Sequence, residues 1–237
     1  MNVLRRARKL ARILAVPEYR AGVRHGSFAT TEHEAISFGH DFRSVVDVGA
    51  HYGEFALFAA RRFPAAAIYC VEPLAEAQAK LRGLVPRAEV IPYAAAATAG
   101  RRTLHVSRAS AASSLLPLTR TLAAAFPGTE EAEVREIDAR PLDELVDLDA
   151  LAPPALLKVD VQGAELDVLR GAERLLAFVD EALVECSFVE LYEGQALAAD
   201  VIDFLRARGF TLAGVYSLLH DRKGRTLQAD LLFARAA

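Results

Sequence analysis

"VVDVGAHYGEFALFAARRFP", residues 45–64, decides how the rest of this chain is read. Three β-formers, an acid and a glycine run directly into helical spacing, the layout of a strand, a tight loop and a helix. Loops for phosphate, for a dinucleotide and for a methyl donor can all begin this way. A phosphate loop needs G-x-x-x-x-G-K-[ST], and no Lys-Ser or Lys-Thr follows here. A dinucleotide fingerprint needs G-x-G-x-x-G; counted from Gly49, its second glycine position holds His51 and its third holds Glu54. What remains is D-x-G-A-x-x-G, from Asp47 through Gly49, Ala50, His51 and Tyr52 to Gly53. Gly49 permits a left-handed turn, Gly53 lets a ligand approach the backbone, and the N–H groups of the following helix suit a carboxylate. Asp47 either holds an ammonium group or orders the loop. A plain strand–helix turn is the alternative for the stretch as a whole.

Outward from this stretch, strand-like and helix-like runs alternate. "SVVDVG" reads as strand, 52–62 as helix, "AAIYCVE" as strand, 74–84 as helix and "AEVIPYA" as a third strand. "RRTLHVS" and "AEVREID" read as added strands around a loop at 108–130, where a lid is expected. "ALLKVDV" is strand, 164–177 helix, "EALVECSF" strand, 195–208 helix, and the end reads as a hairpin turning near Gly224. Such alternation means a parallel sheet with helices on both faces, whose ligands sit beyond the carboxyl ends of the strands. Glu72 stands at such an end in "YCVEP", where its two oxygens match the spacing of a ribose diol. Pro73 and Leu74 follow, Leu74 suited to pack on an adenine face. Residues 1–42 are read as an N-terminal helical segment and 43–237 as the main domain. Within the first, "ATTEHEAISF" reads as a helix with Thr30 or Thr31 as N-cap and Glu34 completing a capping box to Thr31.

"VVDVGAHYGEFALFA", "IYCVEP", "SSLLP", "LLKVDVQGAELDVLRGAE" and "ECSFVELYEGQ" together resemble the FkbM family of S-adenosylmethionine-dependent methyltransferases. The likeness runs from about residue 30 to 235. The glycine loop is common to many methyltransferases; the K-V-D-V-Q-G-x-E run with the other segments is far more specific. The resemblance implies a class I, Rossmann-like three-layer α/β sandwich with a seven-stranded, mostly parallel sheet and an antiparallel last strand. It implies S-adenosylmethionine as cofactor, S-adenosylhomocysteine as product, and O-methylation of sugar or polyketide hydroxyls. One departure is His51, where the family usually carries Asn; imidazole can still hydrogen-bond. The resemblance also includes a Glu-His pair at the place of His33.

Asp160 ends the fourth strand of the main run and by position faces the transferred methyl group or the acceptor. Glu165 sits in the first helical turn beyond it, favourable at a helix N-terminus or else a contact to substrate. Lys158, inside a strand, calls for an acidic partner, since a lone buried charge is costly. Glu185 ends the next strand. Paired with Asp160 it could serve in acid–base chemistry, whereas a divalent metal site needs several oxygen ligands and only two are in view, so no metal is assigned. Tyr192 and Gln195 could line a sugar pocket, and Ser113 and Ser114 lie in the 108–130 loop. His33 is read as the general base, for its side chain titrates near neutrality, and Asp160 as the group orienting the acceptor hydroxyl. His25, His40, His105 and His220 have no motif around them.

Composition narrows the partners. The 237 residues are 53% apolar and carry a net charge of −3, against general nucleic-acid binding. Residues 1–12 carry five basic side chains and no acid, which leaves −8 on the remainder. Val3, Leu4, Ala7, Leu10, Ala11 and Leu14 recur at helical spacing, so 1–14 read as a basic amphipathic helix. It either packs on the domain or a neighbouring copy of the chain, or touches an anionic membrane surface. No apolar run is long enough to span a membrane, and no signal-peptide layout is visible. The two cysteines, Cys70 and Cys186, each lie in a strand-like run and read as buried thiols of a cytoplasmic protein. The family resemblance, with these exclusions, implies an S-adenosylmethionine-dependent O-methyltransferase acting on a saccharide, glycoconjugate or related natural product. A non-catalytic cofactor-binding module is the alternative, and a dinucleotide-dependent oxidoreductase a weaker one.

Overall fold

The computed structural model describes residues 11–24 and 31–236. Its centre is a seven-stranded sheet in the order β3-β2-β1-β7-β8-β10-β9. These strands are β1 (Ser44–Val48), β2 (Ala67–Val71), β3 (Glu89–Ile91), β7 (Ala155–Val159), β8 (Glu181–Ser187), β9 (Phe210–His220) and β10 (Thr226–Arg235). A second sheet joins β4 (Ala94–Ala95), β6 (Glu131–Arg140) and β5 (Gly100–Ser107). β1, β2, β3, β7 and β8 run parallel, while β10 is antiparallel to both neighbours. The reversal is built at 221–225, where the Asp221 carboxylate accepts from the backbone N–H groups of Lys223 and Arg225 and closes the hairpin. The three-layer α/β fold with an antiparallel last strand, expected from the sequence, is the fold observed.

Period-two alternation separates two cores. Val46 and Val48 of β1, Leu157 and Val159 of β7 and Val184 of β8 face a cluster closed by α6 (Glu165–Arg170) and α7 (Ala198–Arg206). Val45, Leu156, Leu183 and Leu232 face the other cluster, closed by Phe55 and Phe58 of α2 (Glu54–Arg62) and Leu81 of α3 (Ala75–Leu84). Ile13, Val16 and Tyr19, the last from α1 (Pro17–Arg24), join that second core. The apolar face expected over 1–14 therefore turns differently where it can be seen: Leu14 is 53% exposed and Ala11 is exposed, while Ile13 goes inward. Residues 1–10 of that expected helix lie outside the described residues.

Several boundaries differ from the sequence reading. The third strand is only Glu89–Ile91, because the chain leaves the main sheet at Pro92 and pairs again at Ala94–Ala95 with β6. The helix expected at 164–177 stops at Arg170 and resumes as a 3-10 turn at Leu175–Phe178. At Gly171 a Cβ would come within 2.1 Å of the Ala96 carbonyl, so the close approach of the second sheet takes precedence over helical continuity. The helix expected in "ATTEHEAISF" is a single 3-10 turn, Thr31–Ala35. Its capping box is not formed: Thr31 lies inside the turn, Thr30 is outside the described residues, and the Glu34 carboxylate instead receives Arg12 Nε at 2.8 Å and the Tyr19 hydroxyl at 3.1 Å. That pairing fastens α1 and the segment before it to the domain.

Cys70 and Cys186 are buried and free, on strands separated by β1 and β7 and facing opposite cores. Burial pushes the Cys70 thiol well above its ordinary range. Native protein is accordingly expected to resist alkylation at both positions, and denatured protein to take up two equivalents. A Cys70–Cys186 bridge detected by mass spectrometry would contradict the strand order.

Candidate functional site

The site forms where β2, β1 and β7 end side by side. Gly49 adopts φ +76°, and a Cβ there would lie 1.9 Å from the Asp160 carbonyl oxygen, so only glycine lets the loops after β1 and β7 touch. The Gly49 and Ala50 N–H groups donate to the Val71 carbonyl at 3.0 and 3.2 Å, and the Asp160 N–H donates to that of Val48 at 3.1 Å. Three strand ends are thus tied into one rim.

A cleft of about 600 Å³, its open mouth included, lies above this rim. Gly49, His51, Glu72, Pro73, Leu74 and Asp160 line it. Asp47, Ala50, Tyr52 and Gly53 are outside the lining. Asp47 is fully covered and its ammonium partner is Lys158, at 3.1 Å. Gly53 is the N-cap of α2, and Tyr52 stacks on His51 with ring centroids 3.7 Å apart.

Glu72 is 5% exposed. Its Oε2 accepts the His51 N–H at 2.9 Å and its Oε1 the Leu74 N–H at 2.8 Å. Burial raises its pKa above the ordinary range, and those two N–H groups oppose the rise. Each oxygen keeps a further lone pair, so the carboxylate is fixed in orientation and able to accept two hydroxyls.

A polar chain crosses the floor beyond Glu72. Lys158 bonds Asp47 and reaches Asp160 Oδ2 at 3.6 Å and the Gly49 carbonyl at 3.5 Å. Burial acts to lower its pKa, but the carboxylates of Asp47 and Asp160 outweigh this and raise it. Gln162 donates through one nitrogen to Asp160 Oδ1 at 2.7 Å and to Glu185 Oε2 at 2.8 Å. The Tyr192 hydroxyl, 2.7 Å from Gln162 Oε1, fixes which end of the amide faces the acids. Gln228 also donates to Glu185, at 2.9 Å. Burial, then the charges of Asp160 and Asp230, push Glu185 well above the usual carboxylate range. An amide nitrogen thus occupies the position between Asp160 and Glu185.

His33 is buried beside Phe55 and Phe58, outside the cleft lining, with Nε2 3.2 Å from Asp230 Oδ2. Burial works to raise Asp230, but His33, Ser217 and Lys158 together bring it below the ordinary aspartate range. Tyr192 and Gln195 do not line the cleft. Tyr192 is fully covered, and Gln195 Oε1 accepts the Leu191 and Tyr192 N–H groups, which shapes the turn.

The expected 108–130 loop contains a 3-10 turn (Ser110–Ala112) and helix α4 (Arg120–Ala125), and its first part crosses the cleft. Ser110 Oγ meets His51 Nε2 at 2.9 Å and the Tyr52 hydroxyl at 3.1 Å, while Ser114 Oγ donates to the Gln162 carbonyl at 2.6 Å. The segment is stitched at both sides. The sequence reading gave no role to Gln162, Gln228, Asp230 or Ser110. An acid within the apolar run "ADLLFA" was a signal for Asp230; Ser110 carried none.

Glu165 turns back on its own loop. It accepts the Gly163 N–H at 2.9 Å and that of Val161 at 3.3 Å, and burial lifts its pKa to about 7. The folded chain therefore binds a proton there that the unfolded chain releases at lower pH. This contribution to stability is complete below about pH 4.5 and is lost as pH rises through about 7. Glu165→Gln keeps the acceptor oxygen and removes the charge. Its melting temperature relative to wild type is expected to rise from about pH 5 to about pH 8; a pH-independent difference would show that Glu165 is not the titrating group.

Comparison with known proteins bears on the family. The sequence matches the model of the Methyltransferase FkbM domain over residues 47–212. It is 29% identical over 174 residues to the 2-O-methyltransferase NoeI of Sinorhizobium fredii (strain NBRC 101917 / NGR234), covering 68% of this chain and 70% of that protein. The crystal structure of methyltransferase FkbM from Methylobacillus flagellatus KT superposes with a TM-score of 0.54 at 17% identity, over 87% of this chain. The chain spans 46%, about half, of that solved protein's length. With most of its length matched, from the glycine loop to the last hairpin, the chain belongs to the FkbM methyltransferase family.

Proposed function

We propose that this protein is an S-adenosylmethionine-dependent O-methyltransferase whose acceptor is a hydroxyl of a saccharide, glycoconjugate or related natural product. The observation that carries the cofactor reading is Glu72: a buried, oriented carboxylate with spare lone pairs, at the cleft wall beside the glycine loop. Its chemistry fits a ribose diol, and Leu74 and Pro73 beside it offer an apolar surface to a purine. Bound at this site, S-adenosylmethionine would be held by Glu72, Pro73 and Leu74 and would supply a sulfonium methyl group for transfer to the acceptor oxygen, with S-adenosylhomocysteine as the leaving group. Oxygen as acceptor is supported by the relative NoeI, named a 2-O-methyltransferase.

The chain's own contribution is positioning and removal of the hydroxyl proton. Asp160, in the cleft wall and one-third exposed, is assigned to orient the acceptor hydroxyl. His33 is assigned as the base, acting through a water because it lies outside the cleft lining. With Nε2–H donated to Asp230, the free lone pair is on Nδ1, which is buried and has no hydrogen-bond partner among the described residues. The alternatives are Asp160 itself, or Glu185, held by two amides, acting through a water.

S-adenosylmethionine and S-adenosylhomocysteine are expected to raise the melting temperature, and labelled methyl groups to appear on one member of a saccharide panel. A shift given by a dinucleotide instead, with none from either S-adenosyl compound, would overturn the cofactor reading. Transfer to nitrogen or carbon acceptors alone would overturn the O-methyl reading. Glu72→Ala is expected to weaken S-adenosylhomocysteine binding by about 1–3 kcal/mol, as for loss of a charged hydrogen bond, and Glu72→Gln by less, both measured by calorimetry.

A further inference from the structure

We infer that Gln162 is a positioning residue that ties the strap at 110–119, whose first part crosses the cleft, to the two acids of the floor, so that Asp160 and Glu185 hold their places only while the strap is seated. The weight this gives Gln162 in catalysis rests on the roles proposed above for the two acids; the linkage itself needs no ligand.

The carbonyl and the whole side-chain amide of Gln162 are engaged. Its carbonyl accepts from Ser114 Oγ at 2.6 Å, and its Oε1 accepts from the Tyr192 hydroxyl at 2.7 Å. Its Nε2 donates to Asp160 Oδ1 at 2.7 Å and to Glu185 Oε2 at 2.8 Å, one proton for each acid. Turned over, the amide would set its oxygen against two carboxylates, so the side chain has one orientation here. Lys158 and Gln228 each reach one of these acids, at 3.6 and 2.9 Å. Among the described residues, Gln162 is the one that hydrogen-bonds both.

What fixes that orientation comes from the strap. Ser114 is buried and exchanges both backbone hydrogen bonds with His105, at 2.8 and 3.1 Å. Tyr192 belongs to a turn fastened to the far end of the strap: Thr119 Oγ1 donates to the Leu191 carbonyl at 2.7 Å, and the Glu193 N–H donates to that of Pro117 at 2.9 Å. The Tyr192 hydroxyl also lies 3.2 Å from the Ala112 carbonyl. The strap thus grips Gln162 twice, directly at Ser114 and through Tyr192. This grip holds an unfavourable backbone. Gln162 has φ +56°, in the left-handed region that a Cβ disfavours. At Gly163, φ +103°, a Cβ would meet the Tyr192 ring at 2.9 Å. Glu165 braces the same loop through the Val161 and Gly163 N–H groups, but neither bond reaches the Gln162 carbonyl or amide. With the strap lifted, the left-handed residue loses the partners that over-determine it, and relaxation of its backbone carries the amide off the acids.

Nuclear magnetic resonance of the free protein tests this. The side-chain amide protons of Gln162, identified by their loss in Gln162→Met, are expected to exchange about tenfold faster in Ser114→Ala and in Tyr192→Phe, the effect of one hydrogen bond on a local opening. Neither Ser114 nor Tyr192 bonds an acid, so the change must arrive through Gln162. The carboxyl carbon signals of Asp160 and Glu185, identified in Asp160→Asn and Glu185→Gln, are expected to shift in Ser114→Ala. They should shift no further when Ser114→Ala is added to Gln162→Met, the double-mutant signature of coupling through that one side chain. Unchanged exchange at the β1 N–H groups certifies that each variant is folded. Gln162 protons as protected in Ser114→Ala and Tyr192→Phe as in wild type overturn the inference. So do carboxyl signals that Ser114→Ala shifts as much with Gln162→Met in place as without it. No ligand is added, so these outcomes are independent of whether S-adenosylmethionine binds.

Discussion

The Lys158–Asp47 ion pair carries the site above it. It joins β1 to β7 in direct register, beneath a loop whose Gly49 carbonyl faces the same ammonium. Removing one member of such a pair leaves a buried charge unmatched, a loss of about 3–5 kcal/mol. The pair stands at the top of the α2-side core, where apolar packing gives way to the polar floor. Every polar residue beyond it, Asp160, Gln162 and Glu185 in turn, takes its orientation from a neighbour in that chain. A site built this way is pre-organised: its side chains are aligned by the fold before any ligand arrives.

The fold was largely legible in the sequence because its signals are local. Each central strand reads as a short apolar run ending in an acid or a glycine, and 3.6-residue spacing follows. Legibility failed where distant parts of the chain decide. The third strand ends early because Pro92 and the second sheet draw the chain away, and α6 stops because Ala96 presses on Gly171. Glu34 was read as a local cap but bonds Arg12 and Tyr19, whose approach no local pattern announces.

The candidate site divides along the same line. Residues immediately after strand ends, Gly49, Glu72 and Asp160, were singled out because strand ends are where ligands sit in this architecture, and all three line the cleft. Asp47 was selected by the same rule but points down into the sheet, since alternate residues of a strand face opposite sides and the apolar Val48 takes the other. Gln162 lay inside the most specific motif yet received no role. An amide has no charge to mark it, and its importance comes only from the two acids and the tyrosine it touches.

The placement of β10 has a consequence for how the molecule comes into being. This strand is synthesised after β9 yet lies inside it, between β8 and β9. It supplies Asp230 to His33 and Gln228 to Glu185. During synthesis the parallel strands β1, β2, β3, β7 and β8 can associate while β8 still presents an open edge and Glu185 lacks one of its amides. The polar floor closes only when residues near 230 reach residues near 33, a contact spanning nearly the whole sequence. Such long-range closure is slow relative to local structure, and it is this contact, rather than any local one, that completes the polar floor.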